Sequence, residues 1–143
     1  MEERSGSAVI GASPRAAHIS IAIAGGGLRA TSVLRLLNDV ENLAVVAVYD
    51  PSRSAPAMRL ADDLGVFTTT ELEELYQLTP LDLVLDLSND PATQQALEQR
   101  RMDGVVVVSG SGAELVWDLL IAKKRSEEQE KIFVELQIAY DKI

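Results

Sequence analysis

The sequence predicts an α/β protein with a doubly wound, parallel five-stranded sheet in the order 3-2-1-4-5, followed by a long C-terminal helix. Three observations support this prediction. Short runs rich in valine, leucine and isoleucine alternate with segments of helical periodicity. The glycine cluster Gly25-Gly26-Gly27 lies directly between the first run and the first helical segment. Neither glycine nor proline occurs between Ala113 and Ile143, so the last helix has no stop signal.

Composition excludes several classes of protein. At 143 residues and without cysteine, the chain has the size of one domain with an ordinary core and no disulfide or thiolate-metal framework, so we expect a cytoplasmic protein. The net charge of −9 argues against a nucleic acid partner, because phosphate binding draws on clustered lysine and arginine. No apolar run reaches the roughly 18 residues of a membrane span.

The elements are predicted in order along the chain. The first strand carries Ile19, Ile21 and Ile23, and later strands are predicted at residues 43–49, 66–67, 81–87 and 105–108. Helices are predicted at residues 28–38, 55–64 and 72–76 and from Pro91 to about residue 101. Four local signals mark helix ends, namely the C-terminal glycine Gly65, the N-cap Asp90, and the capping boxes Thr70–Glu73 and Ser111–Glu114.

The chain divides into three parts. Residues 1–17 show too little periodicity for an element and are predicted to be a flexible arm, and residues 18–122 form the predicted domain. Residues 123–131 contain no apolar side chain, so we expect the helix over residues 123–143 to project from the domain. The seam Ile132, Leu136, Ala139 and Ile143 has coiled-coil spacing, and Phe133 and Tyr140 widen it. We therefore expect a parallel homodimer; the alternative is that the stripe folds back onto its own domain.

The glycine cluster predicts a phosphate-binding loop. Gly25 permits a tight turn out of the strand, and Gly27 lets backbone N–H groups approach a pyrophosphate. Ala30 occupies the third small position, where helix and strand pack closely. The loop directs a helix N-terminus toward the ligand, which favours anions. The alternative is a purely structural strand-to-helix turn.

Candidate contacts follow from this loop. Backbone N–H groups of Gly25, Gly26, Gly27, Leu28 and Arg29 would hold phosphate, and the Arg29 side chain either clamps it or faces solvent. Asp50 ends the second strand twenty positions beyond Ala30, where an acid would bind the ribose hydroxyls and repel a 2′-phosphate. We therefore expect NAD as cofactor in preference to NADP. The less favoured alternative for Asp50 is a simple turn aspartate. Arg53 lies over the adenine or faces water.

A second group of candidates follows the fourth strand. Asp86, Ser88 and Asn89 lie beside the expected topological switch point, where they would contact ligand or simply form a turn and cap a helix. Residues 109–112 form another loop of small residues, with the same two alternatives. His18, the one histidine, is expected to be an exposed boundary residue, and Trp117 is expected to pack on the sheet. No catalytic triad or metal cluster is predicted.

Residues 19 to about 120 resemble the nucleotide-binding half of the glucose-fructose oxidoreductase and inositol dehydrogenase family. The resemblance lies in three motifs, Gly25-Gly26-Gly27-Leu28-Arg29-Ala30, Val45-Val46-Ala47-Val48-Tyr49-Asp50-Pro51 and Leu81-Asp82-Leu83-Val84-Leu85-Asp86. It implies a Rossmann-like NAD-binding domain. Members of that family carry a Glu-Lys-Pro motif after the fifth strand and a substrate domain. Here the corresponding place reads Val107-Val108-Ser109-Gly110-Ser111-Gly112, so we expect no turnover by this chain alone.

The sequence departs from that family at residues 108–112 and continues with Trp117-Asp118-Leu119-Leu120 and a long charged helix. In these features it resembles nucleotide-binding-like sensor domains of bacterial signalling proteins such as histidine kinases. This resemblance implies a ligand-sensing domain that relays its state through a dimeric helix to a downstream signalling domain. The alternative is the NAD-binding half of an oxidoreductase. Methyltransferases that use a methyl-donor cofactor are less favoured, because Ile21-Ala22-Ile23-Ala24 lacks the acidic residue that usually precedes their glycine motif.

Overall fold

The computed structural model describes residues 18–100 and 102–141, and it contains a parallel five-stranded sheet in the order β3-β2-β1-β4-β5. The strands are β1 (Ile19–Ala24), β2 (Leu43–Tyr49), β3 (Phe67–Thr69), β4 (Leu83–Asp86) and β5 (Val106–Val108). The helices are α1 (Leu28–Asn38), α2 (Pro56–Leu64), α3 (Pro91–Gln99) and α4 (Gly110–Asp141). The predicted fold class, strand order and long C-terminal helix are confirmed. The predicted arm and Ile143 lie outside the described residues.

The two faces of β1 divide the core into two layers. Ile21 and Ile23 pack with α1 and α2, whereas Ala22 and Ala24 face α3 and a 3-10 segment at Leu72–Gln77. This division follows from the alternation of side chains along a strand. β1 is the central strand and pairs with β2 on one side and β4 on the other. The loop that follows β1 therefore emerges at the middle of the sheet edge.

Two of the predicted helix ends are present. Gly65 ends α2 with φ of 76°, a left-handed conformation that glycine adopts without steric cost. Asp90 is the N-cap of α3, and its carboxylate accepts a hydrogen bond from the Ala92 N–H at 3.3 Å. Pro91 follows at the first helical position, where its missing N–H costs no hydrogen bond.

Both predicted capping boxes are wrong. The helix expected at residues 72–76 is the 3-10 segment, which has no side-chain cap; the side-chain hydrogen bonds beside its start come from Thr69 rather than Thr70. The Thr69 hydroxyl accepts a hydrogen bond from the Glu71 N–H at 2.9 Å and also bonds Glu74. The last helix begins at Gly110, so Ser111 lies inside its first turn. The residue before it is Ser109, whose carbonyl accepts from the Gly112 N–H at 3.0 Å.

Three predicted strands have different bounds. The N–H of Val66 donates to the carbonyl of Ala61 at 2.8 Å and so completes the end of α2, which delays β3 by one residue. β4 begins at Leu83 rather than residue 81, and β5 begins at Val106 rather than residue 105. Strand ends shift in this way because the hydrogen bonds of adjacent loops compete with the sheet ladder.

The first part of α4 packs on the same face of the sheet as α1 and α2. Its contacts with that core come from Ala113, Val116, Trp117 and Leu120. From residue 122 to residue 139 every side chain of α4 is exposed. Among the described residues, no helix combines the length and apolarity that crossing a membrane would require.

Candidate functional site

Gly25 makes the turn out of β1 possible. Its φ is 113°, and a Cβ at this position would lie 2.7 Å from the Ser88 backbone nitrogen. Its own N–H donates to the Tyr49 carbonyl at 2.7 Å. Glycine is therefore required both for the backbone conformation and for the close approach of the β1 and β4 loops.

Gly26 joins the loop to the end of β2. A Cβ here would lie 2.8 Å from the Ala55 Cβ and 2.9 Å from the Asp50 Cβ. The Gly26 N–H donates to Asp50 Oδ1 at 2.8 Å, and Asp50 Oδ2 accepts from the Ser52 N–H at 2.8 Å. The carboxylate of Asp50 thus bridges the glycine loop and the following turn. Each of its oxygens keeps a lone pair for a further donor.

Gly27 leaves the start of α1 open. It is the N-cap residue, it offers no side-chain cap, and a Cβ at this position would meet no atom within 4 Å. The first intrahelical bond runs from the Thr31 N–H to the Gly27 carbonyl at 3.0 Å. The preceding N–H groups of the first turn therefore face the space in front of the loop, at the positive end of the helix dipole. Leu28 is exposed beside them.

Arg29 links α1 to α4. Its guanidinium lies 2.5 Å from Glu114 Oε1 and 4.9 Å from the centre of the Trp117 ring. Trp117 packs against the core, as predicted, and also forms this cation–π contact. The Arg29 side chain is therefore neither free in solvent nor directed only at the glycine loop.

Arg53 lies on the other side of the loop, between β2 and β3. It donates to the Thr68 hydroxyl at 2.6 Å, and that hydroxyl donates to Asp62 at 3.0 Å. Together with Asp50, it forms a polar group at the carboxyl ends of the second and third strands. The sequence predicts the adenosine contacts on this side.

Ser88 and Asn89 form a tight turn after β4. The Ser88 N–H and hydroxyl both donate to Asp86 Oδ1, at 2.9 and 2.6 Å, and the hydroxyl accepts from the Asp90 N–H at 3.2 Å. Asn89 has φ of 53°, a left-handed conformation that asparagine tolerates. The structural role proposed for these residues is therefore present. Asn89 is also exposed toward a neighbouring cleft.

The cleft has a volume of about 580 Å³. It lies where the loop after β4 meets the N-terminal turns of α1, α3 and α4. Its walls combine charged and small side chains, namely Arg29, Asp86, Leu87, Asn89, Pro91, Gln94, Gly110, Ala113 and Glu114. Open parallel sheets bind ligands at this kind of position, at the carboxyl ends of the strands beside the topological switch point, where the strand order reverses direction.

The candidate residues therefore fall into two groups separated by the glycine loop. Asp50 and Arg53 lie on the β2–β3 side, whereas Arg29 and Asn89 line the cleft on the β4–β5 side. Two cleft residues, Gln94 and Glu114, were not singled out from the sequence. Glu114 was interpreted only as part of a capping box. The loop at residues 109–112 reaches the cleft through Gly110.

Acidic groups shape the electrostatics near Asp50. Burial raises the pKa of the Tyr49 phenol above its ordinary value of 10.0, and the charges of Asp50, Asp90 and Glu71 raise it further.

His18 is exposed just ahead of β1, as expected for a boundary residue. Residues 18–100 and 102–141 contain no group of three or more histidine, aspartate or glutamate side chains that could hold a metal ion.

Comparison with known proteins gives a likeness to solved structures. No protein-family model matches the chain, and no curated protein matches it. A solved structure that is similar is the crystal structure of GenD2 from gentamicin A biosynthesis in complex with NAD, with 21% sequence identity and a TM-score of 0.52. The match covers 71% of this chain and 29% of that chain, so the present chain corresponds to less than a third of GenD2. At this identity the likeness shows the Rossmann-like fold.

Proposed function

We propose that this chain binds NAD at the Gly25–Gly27 loop, with the pyrophosphate at the N-terminus of α1. The observation that carries the proposal is the open space in front of Gly27, next to a helix start without a side-chain cap. Backbone N–H groups of Gly27, Leu28 and Arg29 surround that space, whereas the N–H groups of Gly25 and Gly26, also expected to hold phosphate, are bonded to Tyr49 and Asp50. Helix N-termini of this kind bind phosphate groups.

Asp50 supplies the ribose contact. Two backbone N–H groups already fix its carboxylate, so the side chain is oriented before any ligand arrives. Its remaining lone pairs suit the two hydroxyls of an adenosine ribose, whereas a 2′-phosphate would meet a fixed negative charge. NAD is therefore preferred over NADP. Arg53, held by Thr68, lies on the adenine side.

The second half of the dinucleotide occupies the cleft on the far side of the loop. Its volume of about 580 Å³ and its position at the switch point support this placement. Asp86 and Asn89 line the cleft at the end of β4, and Ser88 is held between them by its hydrogen bonds to Asp86. The GenD2 structure of the same fold contains NAD. NAD would supply hydride chemistry when bound; the cleft side chains of this chain orient it and set the charge around it.

For the biological role we propose a ligand-sensing domain. Residues 18–122 bind the nucleotide, and residues 123–143 form a projecting helix that makes a parallel homodimer and passes the ligand state to a downstream signalling domain of histidine kinase type. The contact of Arg29 with Glu114 and Trp117 supports a relay, because it connects the nucleotide loop directly to α4. We propose no turnover by this chain alone, since the described residues that line the cleft include no lysine or histidine.

The second candidate is the NAD-binding half of an oxidoreductase of the glucose-fructose oxidoreductase and inositol dehydrogenase type. The likeness to GenD2, of which this chain matches 29%, favours it. The two candidates share the nucleotide site and differ in what the full gene encodes beyond residue 143. A substrate domain there supports the enzyme, and a kinase or other signalling module supports the sensor.

Calorimetric titration tests the nucleotide site. NAD and NADH are expected to bind more tightly than NADP and NADPH, and Gly27→Val is expected to abolish binding without unfolding the chain, because its side chain enters open space. Asn38→Val, at the other end of α1, is the matched control and is expected to bind normally. Failure of all four dinucleotides at millimolar concentration would mean that the glycine loop is only structural.

A further inference from the structure

One face of α4 carries a continuous row of exposed residues, which we call the seam: Leu115, Leu119, Ala122, Ser126, Gln129, Phe133 and Leu136. The large apolar members are Leu115, Leu119, Phe133 and Leu136, and their exposed fractions are 59%, 60%, 64% and 65%. Ala122, Ser126 and Gln129 fall between them at the same spacing. The seven positions are separated alternately by four and three residues, which is the pattern of the a and d positions of a coiled coil.

This seam lies opposite the face by which α4 packs on its own domain. The residues of that packing face are Ala113, Val116, Trp117 and Leu120. With about 3.6 residues per turn, Ala113, Trp117 and Leu120 point roughly 100–180° away from Leu115, Leu119 and Ala122, and Val116 lies at the border, about 60° from Leu119. Another helix can therefore approach the seam along its length without displacing the domain. The seam begins inside the domain, well before the projecting part of the helix.

We propose that a second copy of this chain covers the seam, parallel and in register, from Leu115 to Leu136. The proposal rests on the dimer suggested above and extends its interface into the nucleotide-binding domain. It also replaces the shorter seam that begins at Ile132. The heptad positions of that shorter seam, continued toward the domain, would place Arg125 and Asp118 in the interface, whereas the seam from Leu115 keeps every charge outside it.

Charges beside the seam match those of a second copy. In a parallel pair, each g position faces the e position five residues further along the partner helix. Asp118 then faces Lys123 of the partner subunit, and Arg125 faces Glu130 of the partner subunit. Both pairs are of opposite charge, and the two-fold axis repeats each of them. In the part of the chain that the structure describes, the ion pairs are Arg29–Glu114 and Arg100–Glu73, and they leave these four charges available.

The same charges disfavour an antiparallel pair. In the antiparallel register that pairs Leu119 with Leu136 of the partner subunit, Asp118 would face Ala139 of the partner subunit, and Arg125 would face Ile132 of the partner subunit. One of the two kinds of opposite-charge pair would then be replaced by contacts between a charge and an apolar side chain. Ser126 and Gln129 add a register signal, because polar residues inside a seam are satisfied best when they meet their own copies.

The position of the first seam residue gives the dimer a link to the nucleotide site. Leu115 directly follows Glu114, the acid that holds Arg29 at the start of α1. Any ligand that draws Arg29 toward the glycine loop therefore acts on the residue next to the interface. In the proposed dimer both nucleotide sites border the same pair of helices.

A cysteine cross-linking experiment tests the seam and its direction, because the natural chain contains no cysteine. Leu119→Cys is expected to form a disulfide-linked dimer under mild oxidation, since a parallel register brings each residue 119 to its own copy. Ile138→Cys, also about half exposed but on the outer face of the same helix, is the matched control and is expected to remain largely uncross-linked. Equal cross-linking of both variants, or none in the Leu119 variant, would overturn the proposal.

Sedimentation of charge variants provides the second measurement. Asp118→Lys is expected to weaken the dimer at low salt, and the added change Lys123→Asp is expected to restore it. Leu115→Asp with Leu119→Asp is expected to give a folded monomer that still binds NAD, whereas Val134→Asp is expected to leave the dimer intact. If the Leu115 and Leu119 variant stays dimeric, the proposed seam is wrong, but the nucleotide site and the shorter seam from Ile132 are not contradicted. If the variant loses both its fold and NAD binding, the cross-linking of Leu119→Cys tests the seam instead.

Discussion

Arg29 and Glu114 join two helices that are far apart in the sequence. Their side chains meet at 2.5 Å although 85 positions separate them, and the Trp117 ring lies against the same guanidinium. One helix begins at the glycine loop and the other extends away from the domain. The pair is partly exposed, so its contribution to stability is small. Its significance lies in placing a negative charge at the edge of the cleft beside β4.

Glu114→Gln is expected to tighten NAD binding by about threefold to tenfold, because it removes a charge that repels pyrophosphate and competes for Arg29. Calorimetric titration at low salt measures the effect. Glu73→Gln is the matched control, since Glu73 also pairs with an arginine, Arg100, but lies away from the cleft. An equal gain in both variants would point to overall charge rather than to the Arg29 contact.

Trp117 is expected to report nucleotide binding by its fluorescence. It is the one tryptophan of the chain, and Arg29 lies 4.9 Å from its ring centre. NAD that attracts Arg29 toward the loop changes the surroundings of the indole. Arg29→Met is expected to remove the signal change at saturating NAD, whereas Arg53→Met, on the β2–β3 side, is expected to keep it. A signal that persists unchanged in Arg29→Met would contradict a relay through this contact.

Gly25→Ala is expected to destabilise the domain more than Gly104→Ala. Both glycines have positive φ, which costs an alanine about 1–2 kcal/mol. At Gly104 a Cβ would meet nothing, but at Gly25 it would lie 2.7 Å from the Ser88 nitrogen, so an overpacking cost of about 1–3 kcal/mol is added. Urea unfolding measures both free energies. Similar losses in the two variants would show that the β1 and β4 loops separate easily.

The free energy of unfolding is expected to fall as the pH rises above about 10, with Tyr49 as one cause. Its pKa is raised in the folded state, by burial first and then by Asp50, Asp90 and Glu71. The contribution of the neutral phenol is therefore complete below the unfolded pKa and is lost as the pH rises through the folded pKa. Tyr49→Phe is expected to flatten this dependence. Parallel pH curves for the two proteins would contradict the assignment.

The sequence was sufficient to predict the fold because its two periodicities are strong. The alternation of Ile21 and Ile23 with small alanines marks a strand covered on both faces, and the glycine cluster fixes where its helix begins. Helix starts were harder to predict. Thr69 and Thr70 are adjacent, and the hydrogen bond from Thr69 to Glu74 depends on a 3-10 segment that the spacing Thr70-x-x-Glu73 does not indicate.

The geometry of the candidate site was predicted only in part, for a similar reason. The glycine loop, Asp50 and the β4 turn are local in sequence, and each is recognisable from its residue types. The need for glycine at residue 26 depends on the Cβ atoms of Asp50 and Ala55, which local spacing does not reveal. The pairing of Arg29 with Glu114 likewise depends on how α4 crosses the domain. That crossing is decided by the packing of Ala113 and Trp117.

The face on which α4 packs limits where the sheet can grow. α3 covers one face between β4 and β5, but α4 follows β5 on the other face, together with α1. A connection from β5 through α4 to a further parallel strand beside β5 would be a left-handed crossover, which parallel sheets almost never contain. The outer edge of β5 is therefore not extended by way of this helix. Because β5 is only three residues long, its exposed edge offers few backbone groups for pairing with strands of other molecules.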